Sequence, residues 1–386
     1  MDFSDVKKIA VIGSGDMGHG IVQVAAMAGY SVAMKDVKQE FLDRGMARIV
    51  ESLDILLGKE KITAQDKEDV MARISATTDT AEAVRDAQIV IEAVPEIMDL
   101  KKSVFSEVSA NAADDAILAT NTSTMSITEI SKAVNNPARF AGLHFFNPVN
   151  RMKPVEIIKG AETSNATADI LFKFTEAIKK IPVVVLKDSP GFIFNRINAP
   201  NQTVLSAILD EGKIKPDELD TAMKMVGMPQ GPYELADFVG LDVFVHTMKY
   251  YAETLSPEFK PGKYLTAKVE AGELGKKTGK GIYDWSSGKP VIDGSVMSQD
   301  ITPMEMLAIQ LNEAVRVFKE GIAASAADID LIMVHGAKAM AGPFAMCAGM
   351  QPEQLVTSLD KLHQRFGLAI FKPEPEVADG SFKEMK

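Results

Sequence analysis

The stretch KIAVIGSGDMGHGIVQVAAMAGYSVAMKD, residues 8–36, decides the fold. Residues 8–13 form the short apolar run of a buried strand, and residues 18–29 carry small and apolar side chains at helical spacing. Residues 31–36 then give a second strand that ends in an acid. Strand, glycine turn, helix and strand make a βαβ unit, whose crossover is right-handed because a twisted strand and a right-handed helix pack back onto the sheet only that way. The turn itself, Gly13-Ser14-Gly15-Asp16-Met17-Gly18, fits G-x-G-x-x-G. Alone that pattern is weak, but here it lies between strand and helix, with Asp36 following about twenty residues on, as in a dinucleotide-binding unit. Gly13 permits the tight turn, Gly15 lets a pyrophosphate approach the backbone, and Gly18 allows the helix to pack closely on the strand. The turn residues Asp16 and Met17 lead into a helix N-terminus whose N–H groups and partial positive charge suit phosphates. The Asp36 carboxylate accepts hydrogen bonds from a ribose diol and repels a 2′-phosphate, favouring NAD over NADP. Lys35 and Lys38 flank it and weaken that preference. A glycine turn in some other α/β protein is the competing reading.

Further strand patterns occur at residues 88–94, 116–120, 139–144 and 181–186, with helical stretches between several of them. Such alternation predicts an α/β chain with a Rossmann-type, doubly wound and mostly parallel sheet over residues 1–188. Residues 40–74 repeat acids, lysines and apolar residues at helical spacing with a break near Lys59–Thr63, which predicts a helical hairpin arm. Beyond Asp188-Ser189-Pro190-Gly191 the strand pattern stops, so an all-α domain is expected over residues 189–290. A Ser, Gly and Pro cluster at 284–303 reads as a linker. Residues 300–386 then echo the helical domain. Asp210-Glu211-Gly212 returns as Lys319-Glu320-Gly321, Glu218-Leu219-Asp220 as Asp328-Ile329-Asp330, and Gly231-Pro232-Tyr233 as Gly342-Pro343-Phe344, at nearly constant separation. Chance similarity between helices is the alternative to a duplicated, degenerate copy. The second copy has no counterpart of Asn195 and is expected to be structural.

The chain has 386 residues, 46% of them hydrophobic, enough for two or three ordinary cores and inconsistent with disorder. With 42 Lys+Arg against 53 Asp+Glu the net charge is −11, so no global basic field exists for nucleic acid or an anionic membrane. No uncharged apolar stretch approaches the roughly 20 residues of a membrane span. The acidic N-terminus does not match a signal peptide. The single cysteine, Cys347, allows no internal disulfide and no thiolate metal cluster, so no metal site is expected and a cytoplasmic protein is.

Oxidation of an alcohol by NAD needs a base to take the hydroxyl proton as hydride leaves the same carbon, and histidine titrates in the right range. Of the five histidines, His19 lies in the start of the cofactor helix, and His246, His335 and His363 lie in helical stretches where packing or solvent roles are commoner. His144 ends an apolar strand ahead of Phe145-Phe146-Asn147-Pro148, at the sheet edge where an α/β ligand crevice opens. Glu156 is a lone acid in an apolar strand-like run and needs a partner if buried. Paired with His144 it would fix the imidazole tautomer and stabilise the imidazolium. A purely structural ion pair is the alternative.

The residues from Lys8 to about Trp285 resemble the L-3-hydroxyacyl-CoA dehydrogenase family, above all its 3-hydroxybutyryl-CoA members. The likeness runs through Gly13–Gly18, Glu92–Glu96, Asn121-Thr122-Ser123, Gly142–Pro148, Asp188–Arg196 and Gly275–Gly279. It implies an NAD-dependent enzyme of fatty-acid metabolism that interconverts a 3-hydroxyacyl-CoA and a 3-ketoacyl-CoA. His144 would be the base, Glu156 its orienting partner, and Ser123 and Asn195 the hydrogen-bonding groups at the substrate oxygen. Glu96, Lys101, Asn121, Ser123, Asn147 and Lys277 would contact the cofactor, and Ser52, Lys59 and Ser123 the CoA thioester. Lys59 and Lys101 read equally well as solvated surface charges. Lys59, Lys61 and Lys67 would supply a local positive field. The chain continues about a hundred residues past the usual family end, and that tail resembles the second helical domain of the large multifunctional oxidation enzymes. Short members dimerise through the helical domain, so an attached second copy would replace that contact, leaving a monomer or an altered homodimer. A dehydrogenase of a small non-CoA hydroxy acid or sugar acid, and a non-catalytic NAD-binding protein, are the competing functions.

Overall fold

β1 (Lys8–Ile12) is the pivot of the sheet, pairing in parallel with β2 (Ser31–Lys35) on one side and β4 (Ile89–Glu92) on the other. The computed structural model describes all residues 1–386. Its eight strands run in the order β3-β2-β1-β4-β5-β6-β7-β8, with β3 at Ile74–Thr77, β5 at Ile117–Thr120, β6 at Phe140–Phe145, β7 at Pro154–Ile158 and β8 at Ile181–Val185. Every neighbouring pair is parallel except β6 and β7. Strands β4, β5 and β6 are buried throughout, which is why they read as mostly apolar runs rather than alternating ones, broken only by Glu92, Thr120 and His144. The chain leaves β1 in both directions, and that reversal opens the ligand crevice beyond the carboxyl ends of β1 and β4. This is the Rossmann-type, mostly parallel sheet expected from the sequence.

The helices around this sheet are α1 (Gly18–Met27), α2 (Gln39–Gly58), α3 (Ala64–Ala72), α4 (Thr80–Val84), α5 (Met98–Asn111), α6 (Ile127–Ser131) and α7 (Asn165–Ala177). The arm is the pair α2 and α3, broken at residues 59–63 where the apolar periodicity lapses. Thr63 caps α3 by accepting from the Asp66 N–H at 3.1 Å, which satisfies one of the helix's orphan donors. No helix is long and apolar enough to cross a membrane.

The chain divides into two compact units, one of residues Met1–Phe192 with Gly321–Ala324 and His335–Ala337, the other of the remainder. In the first, Leu186 N–H donates to Ile322 O at 2.8 Å and Val185 bridges Ala323, so a short piece of distant sequence extends the β8 edge. Nothing in the residue pattern announces that addition.

The second unit is helical: α8 (Phe194–Glu211), α9 (Pro216–Met225), α10 (Pro232–Val239), α11 (Leu241–Thr254), α12 (Lys263–Glu270), α13 (Pro303–Lys319), α14 (Ala326–Ala337, its last turn in the first unit), α15 (Pro343–Cys347), α16 (Pro352–Phe366) and α17 (Pro375–Asp379). The sequence echo has a physical counterpart. Asp220 accepts from the N–H groups of Tyr233 and Glu234 at 2.9 and 2.8 Å, capping α10, and Asp330 accepts from those of Phe344 and Ala345 at 2.9 and 2.8 Å, capping α15. Each carboxylate meets a helix N-terminus, where negative charge is favoured. The glycine preceding each helix is dictated by the same device: a Cβ on Gly231 would sit 2.2 Å from Asp220 Cγ, and one on Gly342 2.3 Å from Asp330 Oδ1. The two helical segments meet along α8 and α13, where Arg196 Nε donates to Glu313 Oε1 at 2.6 Å and Arg196 Nη2 to Glu320 Oε1 at 3.0 Å. The Asp220 carboxyl is pushed up to about 6 by burial, against the pull of its backbone donors.

Candidate active site

The glycine turn leaves β1 with Gly13 at φ +105°, and a Cβ there would lie 2.6 Å from Ala93 O. A Cβ on Gly18 would fall 1.8 Å from Gly13 O, so the turn closes on α1 only with glycine at both positions. Gly15 differs: nothing lies within 4 Å of its would-be Cβ, which leaves its backbone open to a ligand. Asp36, at the end of β2, accepts from Ser14 N and Ser14 Oγ at 2.8 and 2.7 Å through one oxygen and from Val37 N at 2.7 Å through the other. Its carboxylate is thus locked beside the turn. An open backbone at Gly15, a helix N-terminus and an anchored acid suit the pyrophosphate and ribose of NAD. Asp16 and Met17 occupy the turn as expected. Asp16 forms an ion pair with Arg48 of α2, a partner the motif does not reveal.

Three parallel strand ends stand beside this turn in register, Ile12 against Glu92 and Glu92 against Thr120. Glu92 is fully buried, and Lys101 Nζ and Val94 N donate to its Oε1 at 2.7 and 2.6 Å while Thr120 Oγ1 donates to Oε2 at 2.6 Å. Burial pushes the Glu92 carboxyl upward, and the Lys101 ammonium opposes that rise. Lys101, 1% exposed, also pairs with Glu96 at 3.2 Å. It is therefore no surface charge. Glu96 in turn accepts from Ser123 N at 3.1 Å and from the Thr122 hydroxyl, so the chain Glu92, Lys101, Glu96 sets the position of the Asn121-Thr122-Ser123 loop. Asn121 Oδ1 accepts from Phe145 N at 2.8 Å, tying that loop to the residue after His144. Glu92 and Thr122 fall within stretches that carry the family likeness but have no role assigned there, and Thr120 stands outside them; all three are supports that the sequence pattern does not reveal. The available signal was that Glu92, like Asp36, is an acid closing an apolar strand.

His144 and Glu156 are brought together by register. β6 and β7 run antiparallel with His144 directly opposite Glu156, and His144 Nδ1 lies 2.7 Å from Glu156 Oε2. The glutamate is fully buried and the histidine 7% exposed. A carboxylate only accepts, so Nδ1 carries a hydrogen, and in the neutral imidazole that leaves the lone pair on Nε2. The rings of Phe146 and Phe192 lie 4.9 and 5.9 Å from the imidazole and form an apolar wall. Asn147 follows in the exposed loop between the strands.

On the arm, Ser52 Oγ accepts from Asn150 Nδ2 at 2.9 Å, which ties α2 to that same loop. Lys59 is exposed at the end of α2. Lys67 pairs with Asp54 across the hairpin and staples the arm, so the local positive field rests on Lys59 and Lys61 rather than on all three lysines. In the helical unit, Asn195 stands in the first turn of α8, and Lys277 Nζ pairs with Asp242 Oδ1 at 2.5 Å.

Residues 8–189 match the family description "3-hydroxyacyl-CoA dehydrogenase, NAD binding domain" and residues 191–285 "3-hydroxyacyl-CoA dehydrogenase, C-terminal domain". The chain is 39% identical over 289 residues to a probable 3-hydroxyacyl-CoA dehydrogenase of Caenorhabditis elegans, covering 73% of this chain and 96% of that one. It is 40% identical over 281 residues to a 3-hydroxybutyryl-CoA dehydrogenase of Clostridioides difficile, covering 72% and 99%. The crystal structure of a 3-hydroxybutyryl-CoA dehydrogenase from Escherichia coli K12 superposes with a TM-score of 0.90 at 27% identity, covering 97% of this chain and 98% of that one. That last likeness extends through the C-terminal helices that the shorter relatives leave unmatched.

Proposed function

The chain belongs to the 3-hydroxyacyl-CoA dehydrogenase family and is an NAD-dependent dehydrogenase acting on CoA thioesters; from that premise we propose that its substrate is a short (S)-3-hydroxyacyl-CoA, 3-hydroxybutyryl-CoA first among them, and that His144 is the base. The observation that carries this reading is the buried His144–Glu156 pair at 2.7 Å. With Nδ1 held by Glu156, Nε2 takes the proton of the 3-hydroxyl during oxidation and returns it to the ketone during reduction. The Glu156 carboxylate stabilises the imidazolium that forms between these events, and the surrounding phenylalanines keep the pair away from water, where its attraction would be weakened.

When bound, NAD supplies or accepts the hydride. Gly13, Gly15, Met17 and Gly18 would hold its pyrophosphate, Asp36 its ribose, and Glu96, Asn121, Ser123 and Asn147 the side facing the reacting carbon. Lys101 acts beneath Glu96 as a support. Ser123 is the hydroxyl assigned to the substrate oxygen, a positioning role. The same assignment for Asn195, and that of Lys277 to the cofactor, rest on family resemblance and each needs its own variant. Ser52 and Lys59 of the arm are assigned to the CoA nucleotide, for which an ammonium is chemically apt. The paired helical copies lead us to propose further that one chain supplies its own helical partner and is a monomer. The catalytic assignment is tested by His144→Ala, which is expected to abolish turnover while leaving NADH binding intact. Unchanged turnover would overturn it.

A further inference from the structure

The loop of residues 146–153 between β6 and β7 carries Asn147 and Asn150, and it is held from beneath by one side chain. Lys180, at the end of the turn after α7 and 9% exposed, donates from Nζ to Met152 O at 2.6 Å and to Val149 O. Pro148 O already accepts from the N–H groups of Arg151 and Met152 at 3.0 Å each, which folds the loop into a turn. Val149 packs against α1 where Gly20 leaves room, a Cβ there coming within 2.8 Å of Val149 Cβ. Two loop carbonyls thus point inward without a strand to pair them, and a buried ammonium satisfies both.

We propose that Lys180 is a positioning residue of the dinucleotide site, its ammonium fixing the loop between the His144 and Glu156 strands so that Asn147 faces the cofactor and Asn150 holds Ser52 of the arm. The inference rests on the reading of Asn147 as a cofactor contact. Burial and the neighbouring Lys153 ammonium lower the Lys180 pKa to about 8. Lys153 is kept close because its carbonyl accepts from Ile181 N at 2.9 Å. Above that pH the side chain becomes a neutral amine, whose hydrogen bonds to the carbonyls are weaker than those of the charged form. The loop then loosens and cofactor binding weakens.

The test is the NADH dissociation constant of the full chain, read by fluorescence from neutral to alkaline pH. The wild-type protein is expected to lose affinity as pH rises through about 8. Lys180→Met should bind about tenfold more weakly at neutral pH, about 1.4 kcal/mol, and should lose the alkaline fall. Lys153→Gln, an exposed change, should fold normally and move the fall to higher pH by removing the like charge. Wild-type affinity in Lys180→Met beside weakened binding in Asn147→Ala overturns the proposal alone. Wild-type affinity in both variants overturns the reading of Asn147 as well. An alkaline fall that Lys153→Gln leaves unmoved also overturns the proposal.

Discussion

His144 and Glu156 face each other across the one antiparallel pair of an otherwise parallel sheet, Nδ1 to Oε2 at 2.7 Å. The reversal matters because directly opposed residues on antiparallel strands share one face of the sheet. Glu156→Gln keeps the shape and removes the charge that stabilises the imidazolium. We expect kcat to fall by about 10²- to 10⁴-fold, with NADH affinity unchanged. Steady-state rates beside a binding titration check this, and loss of NADH binding instead would show that the pair serves the fold.

Lys101→Met would strand two carboxylates, one of them fully buried. Removing one partner of a buried pair costs roughly 3–5 kcal/mol. The sign of the pH dependence follows from Glu92, whose carboxyl is already raised by burial. A carboxyl raised on folding binds more protons in the folded state, so its contribution to stability is present at low pH and is lost as pH rises through the folded value. Without Lys101 that rise is larger, and the variant's deficit should grow from acid toward neutral pH. Denaturant unfolding at several pH values checks it, and a deficit that does not vary would contradict it.

Much of this arrangement is legible in the residues, for identifiable reasons. The glycine turn, Asp36, His144 and Glu156 stand out because each is a special residue at the end or middle of an apolar strand. Strand β3 does not, since Ile74–Thr77 is four residues long with an exposed centre and lacks the apolar run of its neighbours. Lys101 and Lys180 are hidden for the opposite reason: a lysine reads as solvated until the fold brings carboxylates or carbonyls around it. The ion pairs of Asp16 with Arg48 and Lys67 with Asp54 depend on how the arm folds back, and spacing carries no trace of them. The echo of motifs is legible in the residues, and the two aspartate caps give it a shared physical device.

Asp36→Ala removes the acid anchored beside the turn by Ser14 and Val37. NADH affinity should fall by about tenfold, or 1.4 kcal/mol, while NADPH is affected less, narrowing the preference between them. The ratio of kcat/KM values for the two cofactors measures this, and an unaltered ratio would remove Asp36 from cofactor selection.

Lys59→Ala should raise the KM for a CoA thioester several-fold and leave NADH binding alone, because the lysine stands exposed at the tip of the arm. An exposed charge contact of this kind is worth about 1 kcal/mol or less. Unchanged kinetics with the thioester would remove Lys59 from CoA recognition.

If the segments packed along α8 and α13 are the two proposed copies, the full chain is expected to be a monomer near 41.7 kDa in sedimentation equilibrium. A tight dimer across a concentration series would show that the attached copy does not take the partner's place.

The most direct measurement is the decay of the NADH absorbance band when the protein is mixed with acetoacetyl-CoA, set beside the same mixture with NADPH and with free acetoacetate. Rapid decay with the thioester and NADH, slow decay with NADPH and none with the free acid is the predicted result. Turnover of the free acid without any preference for the thioester, or no reaction in any mixture, would contradict it.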